Sequence, residues 1–172
     1  MSLGYVQSRI TAGDFTSVAV HRDQMFAAGY TKPKMVHFYK RSGSSWVKVH
    51  SFSVDLDHWI TLSVKNNQIK CCSDNDNKIA VYSLSGELLQ TYGTSERDGG
   101  AGQLNYPYIC TDDDDGSVLI ADRGNDRLQV MSEQGEFSVL QLQPPVSQPR
   151  GAVLFNNQLY VAKFGRSLYK YL

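Results

Sequence analysis

Set under one another, the short apolar runs of this chain fall into register every few dozen residues. The second run of each group begins at Met25, Ile69, Val118 and Leu159, a spacing of roughly 41 to 49 residues. In order, the runs are SVAV, MFAAG, MVHFY and WVKVHSF; ITLSV, IKCCS, KIAVY and ELLQTYG; YICT, SVLIA, LQVM and FSVLQL; then GAVLF, QLYVA and SLYKYL. Each is rich in Val, Ile, Tyr or Phe, is bounded by Gly, Asn, Asp, Ser or Lys, and lacks a period of 3.6. The chain therefore reads as all-β. Four strands per repeat at this spacing define the blade of a β-propeller, a four-stranded antiparallel sheet.

The turns repeat with the strands. HRDQ, KNNQ, DDDDG and FNNQ each stand between the first and second run of a group. Only the last group lacks its outer strand, and residues 4–10 (GYVQSRI) resemble the outer runs ELLQTYG and WVKVHSF. Pairing of that segment with the last blade would close a ring of four blades and remove the exposed strand edges that invite aggregation. The expected blades are approximately 11–52, 53–93, 94–142, and 143–172 plus 4–10, in a single domain spanning 1–172. Small residues at Ser17, Ala19, Thr61, Ser63, Cys110, Thr111, Gly151 and Ala152 suit crowded inner strands near a narrow axis. The alternatives are an arc of a larger propeller and chains that complete one another; a monomer is the expectation, with a blade-sharing oligomer behind it.

Charge excludes some partners. Among 172 residues, 17 Lys and Arg face 17 Asp and Glu, so no overall field attracts polyanions or a membrane surface. No apolar stretch approaches the roughly 20 residues that span a bilayer. Three cysteines, two of them adjacent at Cys71 and Cys72, do not make a disulfide framework, and no segment of signal-peptide type stands at the N-terminus. A reducing, cytoplasmic location is the expectation, with Cys71 and Cys72 as buried small hydrophobes.

The third repeat carries more than periodicity. GGAGQLNYPYICTDDDDGSVLIADRGNDRLQVMSEQGEF, residues 99–136, has a Gly-rich lead, an aromatic-Pro pair at Tyr106 and Pro107, a D-x-D-G turn at 113–116, and then Ala121, Asp122, Gly124, Asn125, Arg127, Gln129 and Val130. This pattern resembles an NHL repeat. The other repeats are degenerate, with Ser73 and Lys78, Gly29 and Lys34, and Lys163 and Ser167 at the positions of Asp122 and Arg127. NHL propellers are usually six-bladed, so the resemblance implies the architecture without the blade count. In ADRGNDR, Gly124 and Asn125 suit the positive φ of a tight turn, and Asp122 and Arg127 are expected to brace its ends. Arg123 has no partner in the pattern and is expected to point outward.

The resemblance also implies a function. In NHL propellers the loops between second and third strands, with those linking blades, form one face that binds proteins or RNA, sometimes downstream of a ubiquitin-ligase module. On that face the expected partner-binding residues are Tyr30, Lys32, Lys34, Trp59, Lys78, Tyr106, Tyr108, Arg123, Arg150, Lys163, Phe164 and Arg166. Nine basic and nine acidic residues share the face. Mixed charge with Tyr, Trp and Arg favours a protein partner, with single-stranded RNA as the alternative, which needs phosphate contacts and stacking platforms. A metal-dependent propeller hydrolase or lyase ranks behind both.

Catalytic motifs are missing from the sequence. His21, His37, His50 and His58 fall at unrelated points of the repeat and do not converge as zinc ligands, and no G-x-S-x-G elbow occurs. Asp57 and His58 read as a polar loop. Asp112 to Asp115 lack the spacing of a calcium loop and read as a solvated turn. The expectation is a binding module that is not an enzyme and has no cofactor and no metal.

Overall fold

The computed structural model describes residues 15–22, 24–29, 34–93, 100–112, 115–165 and 167–171. The expected pairing of residues 4–10 with the last blade lies outside them.

The fifteen strands read from the sequence all form. The first sheet is β1 (Phe15–His21), β2 (Gln24–Gly29), β3 (Met35–Ser42) and β4 (Ser45–Ser53). The second is β5 (Ile60–Lys65), β6 (Gln68–Ser73), β7 (Ile79–Ser83) and β8 (Leu88–Tyr92). The third is β9 (Pro107–Asp112), β10 (Val118–Asp122), β11 (Arg127–Met131) and β12 (Phe137–Val139). The last, among the described residues, has β13 (Pro149–Phe155), β14 (Gln158–Lys163) and β15 (Ser167–Tyr171). Every sheet is a meander in chain order with antiparallel neighbours. The protein is an all-β, four-bladed β-propeller, in which a single 3-10 turn at Arg123–Asn125 is the only helical segment among the described residues.

Local chemistry sets the hairpins. Asn66 and Asn67 (φ 49° and 59°) and Asn156 and Asn157 (φ 49° and 58°) occupy two-residue turns between paired Lys65 and Gln68 and between Phe155 and Gln158. Asn tolerates the left-handed region, and turns with two such residues match the twist of the strands they join.

Blades pack through their inner strands: β1 on β5, β5 on β9 and β9 on β13. Three apolar layers result. Phe26, Val36, Leu62, Ile69 and Cys71 lie between the first two blades, with Phe26 stacked on Phe38 at 4.8 Å. Cys72, Ile79, Ile109, Ile120 and Met131 lie between the second and third, and Leu119, Leu128, Val161 and Tyr171 between the third and fourth. Each layer is close-packed hydrophobic surface removed from water, the main favourable contribution to folding. No comparable packing joins β13 to β1 among the described residues.

Small inner-strand residues do more than fit a crowded axis. Leu62 N–H donates to Ser17 Oγ at 3.1 Å, and Ile109 N–H donates to Thr61 Oγ1 at 2.8 Å. Thr16 Oγ1 donates to the Ile60 carbonyl at 2.7 Å. Each hydroxyl answers a backbone group of the following blade that would otherwise be left unpaired.

Candidate functional site on the loop face

The ADRGNDR turn positions the site. Asp122 is fully buried, and its Oδ2 accepts from Arg127 Nε at 2.8 Å, Asn125 Nδ2 at 2.9 Å and Gln129 Nε2 at 2.9 Å, while Oδ1 accepts from Asn105 N–H at 2.7 Å. Arg127 Nη2 donates to the carbonyls of Gly100 and Gln103, both at 2.8 Å. The carboxylate thus ties the segment leading into β9 to the β10–β11 turn, and the brace expected between Asp122 and Arg127 is present. The positive φ expected of Gly124 and Asn125 falls instead on Asp126 (φ 53°), and Gly124 is set by space, because a Cβ would stand 2.4 Å from Asn105 Cγ.

That turn aims Arg123. The expectation that Arg123 lacks a partner is wrong: its guanidinium lies 4.9 Å from the Phe164 ring centre and 5.7 Å from that of Tyr106. Arg150 lies 4.7 Å from Phe164 and 5.6 Å from Tyr108. Cation–π attraction holds the two guanidinium groups around one phenyl ring despite their like charge. Tyr106 and Phe164 are exposed, whereas Tyr108 is buried. Five of the predicted residues, from the third and fourth blades, therefore form one cluster.

An acid–base chain adjoins it. Tyr108 Oη donates to Asp74 Oδ2 at 3.3 Å, and Asp74 Oδ1 accepts from His58 Nδ1 at 2.8 Å and from Trp59 N–H at 3.3 Å. Burial first, and then the Asp74 carboxylate, pushes the Tyr108 hydroxyl above its ordinary pKa, against the opposing charges of Arg150 and Arg123. It stays protonated at neutral pH and able to donate. The His58 side chain is 55% exposed, and its backbone sits in the left-handed region at φ 61°. With Nδ1 committed to Asp74, the other ring nitrogen is left to accept a proton, which is the arrangement of an oriented general base.

The remaining predicted residues lie elsewhere. Trp59 is exposed and its ring stands 6.5 Å from that of His58. Lys34, expected on the surface, is buried; with Lys78, Asp55, Asp57 and Asp76 it lines a separate cavity of about 440 Å³. Lys163 Nζ donates to Ser147 Oγ at 3.2 Å and lies 5.8 Å from the Tyr169 ring. Tyr30, Lys32 and Arg166 lie outside the described residues. Among the described residues no group of three or more His, Cys, Asp or Glu is placed to hold a metal ion. No helix among them is long and apolar enough to cross a membrane.

Sequence reasoning missed His58 and Asp74. Ser73 stands at the repeat position of Asp122, so Asp74 occupies that of Arg123. A carboxylate in one blade where the next carries a guanidinium was the available signal.

Fold and site together define a β-propeller with a polar, aromatic-lined cluster spanning three blades. No family model matches the sequence. Solved structures match over nearly the whole chain. Virginiamycin B lyase from Staphylococcus aureus is 14% identical, with 92% of this chain and 55% of that one covered and a TM-score of 0.64. A protein of unknown function from Bacteroides thetaiotaomicron is 14% identical, covers 92% and 47%, and reaches 0.74. Glutaminyl cyclase from Myxococcus xanthus is 14% identical, covers 92% and 65%, and reaches 0.57. The chain spans about half the length of the first two.

These neighbours correct the expected function. A non-enzymatic module binding protein or RNA is what the NHL resemblance, the mixed charge of the loop face and the missing catalytic motifs lead one to expect, but the propellers of this shape include a lyase. The physical reason is plain. A propeller assembles chemistry from loops of different blades, so no contiguous motif need exist.

Proposed function

We propose that the loop face binds a small polar molecule and acts on it by general acid–base chemistry. His58 is the base, Asp74 orients it and holds its tautomer, and Arg123 and Arg150 bind an anionic group or a developing oxyanion. Proton abstraction beside a carbonyl, followed by elimination, is the reaction class. One observation carries this reading: His58 Nδ1 lies 2.8 Å from an Asp74 carboxylate that also accepts from Tyr108. The fold shared with lyases supports it. Three unpaired cysteines support a reducing compartment as its place of work.

The test is turnover of esters and depsipeptides with an acidic Cα–H, beginning with quinupristin, the compound bound to a catalytically inactive virginiamycin B lyase. Mass spectrometry distinguishes elimination, which adds no water, from hydrolysis, which adds one. His58→Ala is expected to lower kcat by about 10²- to 10⁴-fold, with Asp74→Asn similar in direction. Turnover indifferent to both substitutions, or none across the panel, would overturn the proposal.

A further inference from the structure

The four blades keep one register, so positions can be compared across them. Val18, Leu62, Ile109 and Ala152 hold one place on the inner strands, opposite Ala27, Cys71, Ile120 and Val161. Leu62, Ile109 and Ala152 are buried against the preceding blade, whereas Val18 is 60% exposed. Val36, Ile79, Leu128 and Leu168 hold one place on the third strands, opposite Ala28, Cys72, Ala121 and Ala162. The first three are fully buried on the side of the following blade, whereas Leu168 is 70% exposed. Val20 extends the first patch and Val153 the second, and both are exposed. The outer flanks of the first and last blades are thus the two unmatched halves of an interface that the chain makes three times internally.

We propose that a second copy of this chain covers both flanks, with the fourth blade of each copy docked on the first blade of the other. The junction continues an interface already present: the last blade offers the surface on which blades two to four rest, and the first blade offers the surface that rests there. Among the described residues self-closure does not bury these side chains, since β13 and β1 are not among the strand pairs that pack closely. The size of related rings agrees. Two such arcs amount to about one chain of the virginiamycin B lyase or of the Bacteroides thetaiotaomicron protein, each matched over roughly half its length. Head-to-tail contact between identical copies either closes a ring or runs on as a fibre, and two half-rings close. Equal numbers of acidic and basic residues leave no net charge to oppose the union.

Sedimentation and light scattering of the purified chain are expected to give a particle of twice the 19.2 kDa chain mass. Val18→Glu and Leu168→Glu, each placing a charge in an apolar junction, are each expected to yield monomers with the β-sheet circular dichroism retained. Mixing the two variants restores one unaltered junction, from the fourth blade of the Val18→Glu copy to the first blade of the Leu168→Glu copy. A heterodimer must therefore reappear. A wild-type monomer, as further blades of a longer polypeptide would require, overturns the proposal, as do a trimer or an open fibre. A dimer that survives Val18→Glu, or a mixture that stays monomeric, does so too, because the contact would then not run from blade four to blade one. The wild-type mass alone decides the matter if either variant fails to fold.

Discussion

The Asp122 carboxylate accepts from Arg127 Nε at 2.8 Å while itself fully buried, so one ion pair joins two strands and the loop that precedes the third blade. A buried charge with its partner removed is far more costly than the intact pair is favourable. Arg127→Ala is accordingly expected to destabilise the protein by about 3–5 kcal/mol. Asp122→Ala, which also orphans Asn105 N–H and removes one of the two acceptors of Gln129 Nε2, should cost at least as much. Urea unfolding midpoints of both variants provide the measurement, and a loss below about 1 kcal/mol, the scale of an exposed ion pair, would contradict the brace.

Gly124 depends on Asn105. A methyl group at Gly124 meets the Asn105 side chain, whose Oδ1 is buried without a hydrogen-bond partner among the described residues. Gly124→Ala is expected to cost about 1–3 kcal/mol, as overpacking does. In an Asn105→Ala background the same substitution should cost less, and a double-mutant cycle on thermal unfolding reads the coupling. Additive effects would mean that the crowding lies elsewhere.

The three thiols should resist labelling. Burial pushes Cys72 up to about 12 and Cys110 up to about 11, and raises Cys71 further, with Cys72 adding to the effect on Cys71. Since the thiolate is the reactive species, a thiol reagent at pH 8 is expected to modify none of them in the folded protein and all of them in denaturant. Rapid labelling of Cys71 or Cys72 in native protein would show that the β6 layer opens readily.

His37 links stability to acidity. Burial, and then the nearby Lys48, lowers its pKa from 6.5, and its Nδ1 is buried without a hydrogen-bond partner among the described residues. The unfolded chain therefore binds this proton more readily than the folded one. Stability on this account is fully present above pH 6.5 and declines as pH falls through that value toward the lower folded pKa. His37→Gln should flatten that part of the denaturation profile, and an unchanged slope between the two forms would remove His37 as the cause.

The fold was legible because blades are local. Alternation within each run, Asn pairs at turns and the recurrence of Met25, Ile69, Val118 and Leu159 all arise from neighbours along the chain, and every described strand follows them. Asp122 and Arg127 were legible for the same reason, since only four residues separate them. The acid–base chain was not. His58 meets Asp74, sixteen positions away in the chain, because β5 pairs with β6, and Tyr108 joins them only because the second and third blades pack. Arg123 was misread likewise, as Phe164 reaches it from the following blade. Lys34 falls by repeat position in the loop between second and third strands, and the fold seats it there in a cavity with carboxylates.

The hydroxyls of Ser17 and Thr61 give the modules an order. Each accepts an amide of its successor, Leu62 or Ile109, whereas the third and fourth blades carry Tyr108 and Gly151 at the same place. Versions of this chain that moved either of those two blades into the first or second position would preserve every hairpin and still leave a main-chain donor stranded. Sequence order is thereby written into the hub as well as into the linkers.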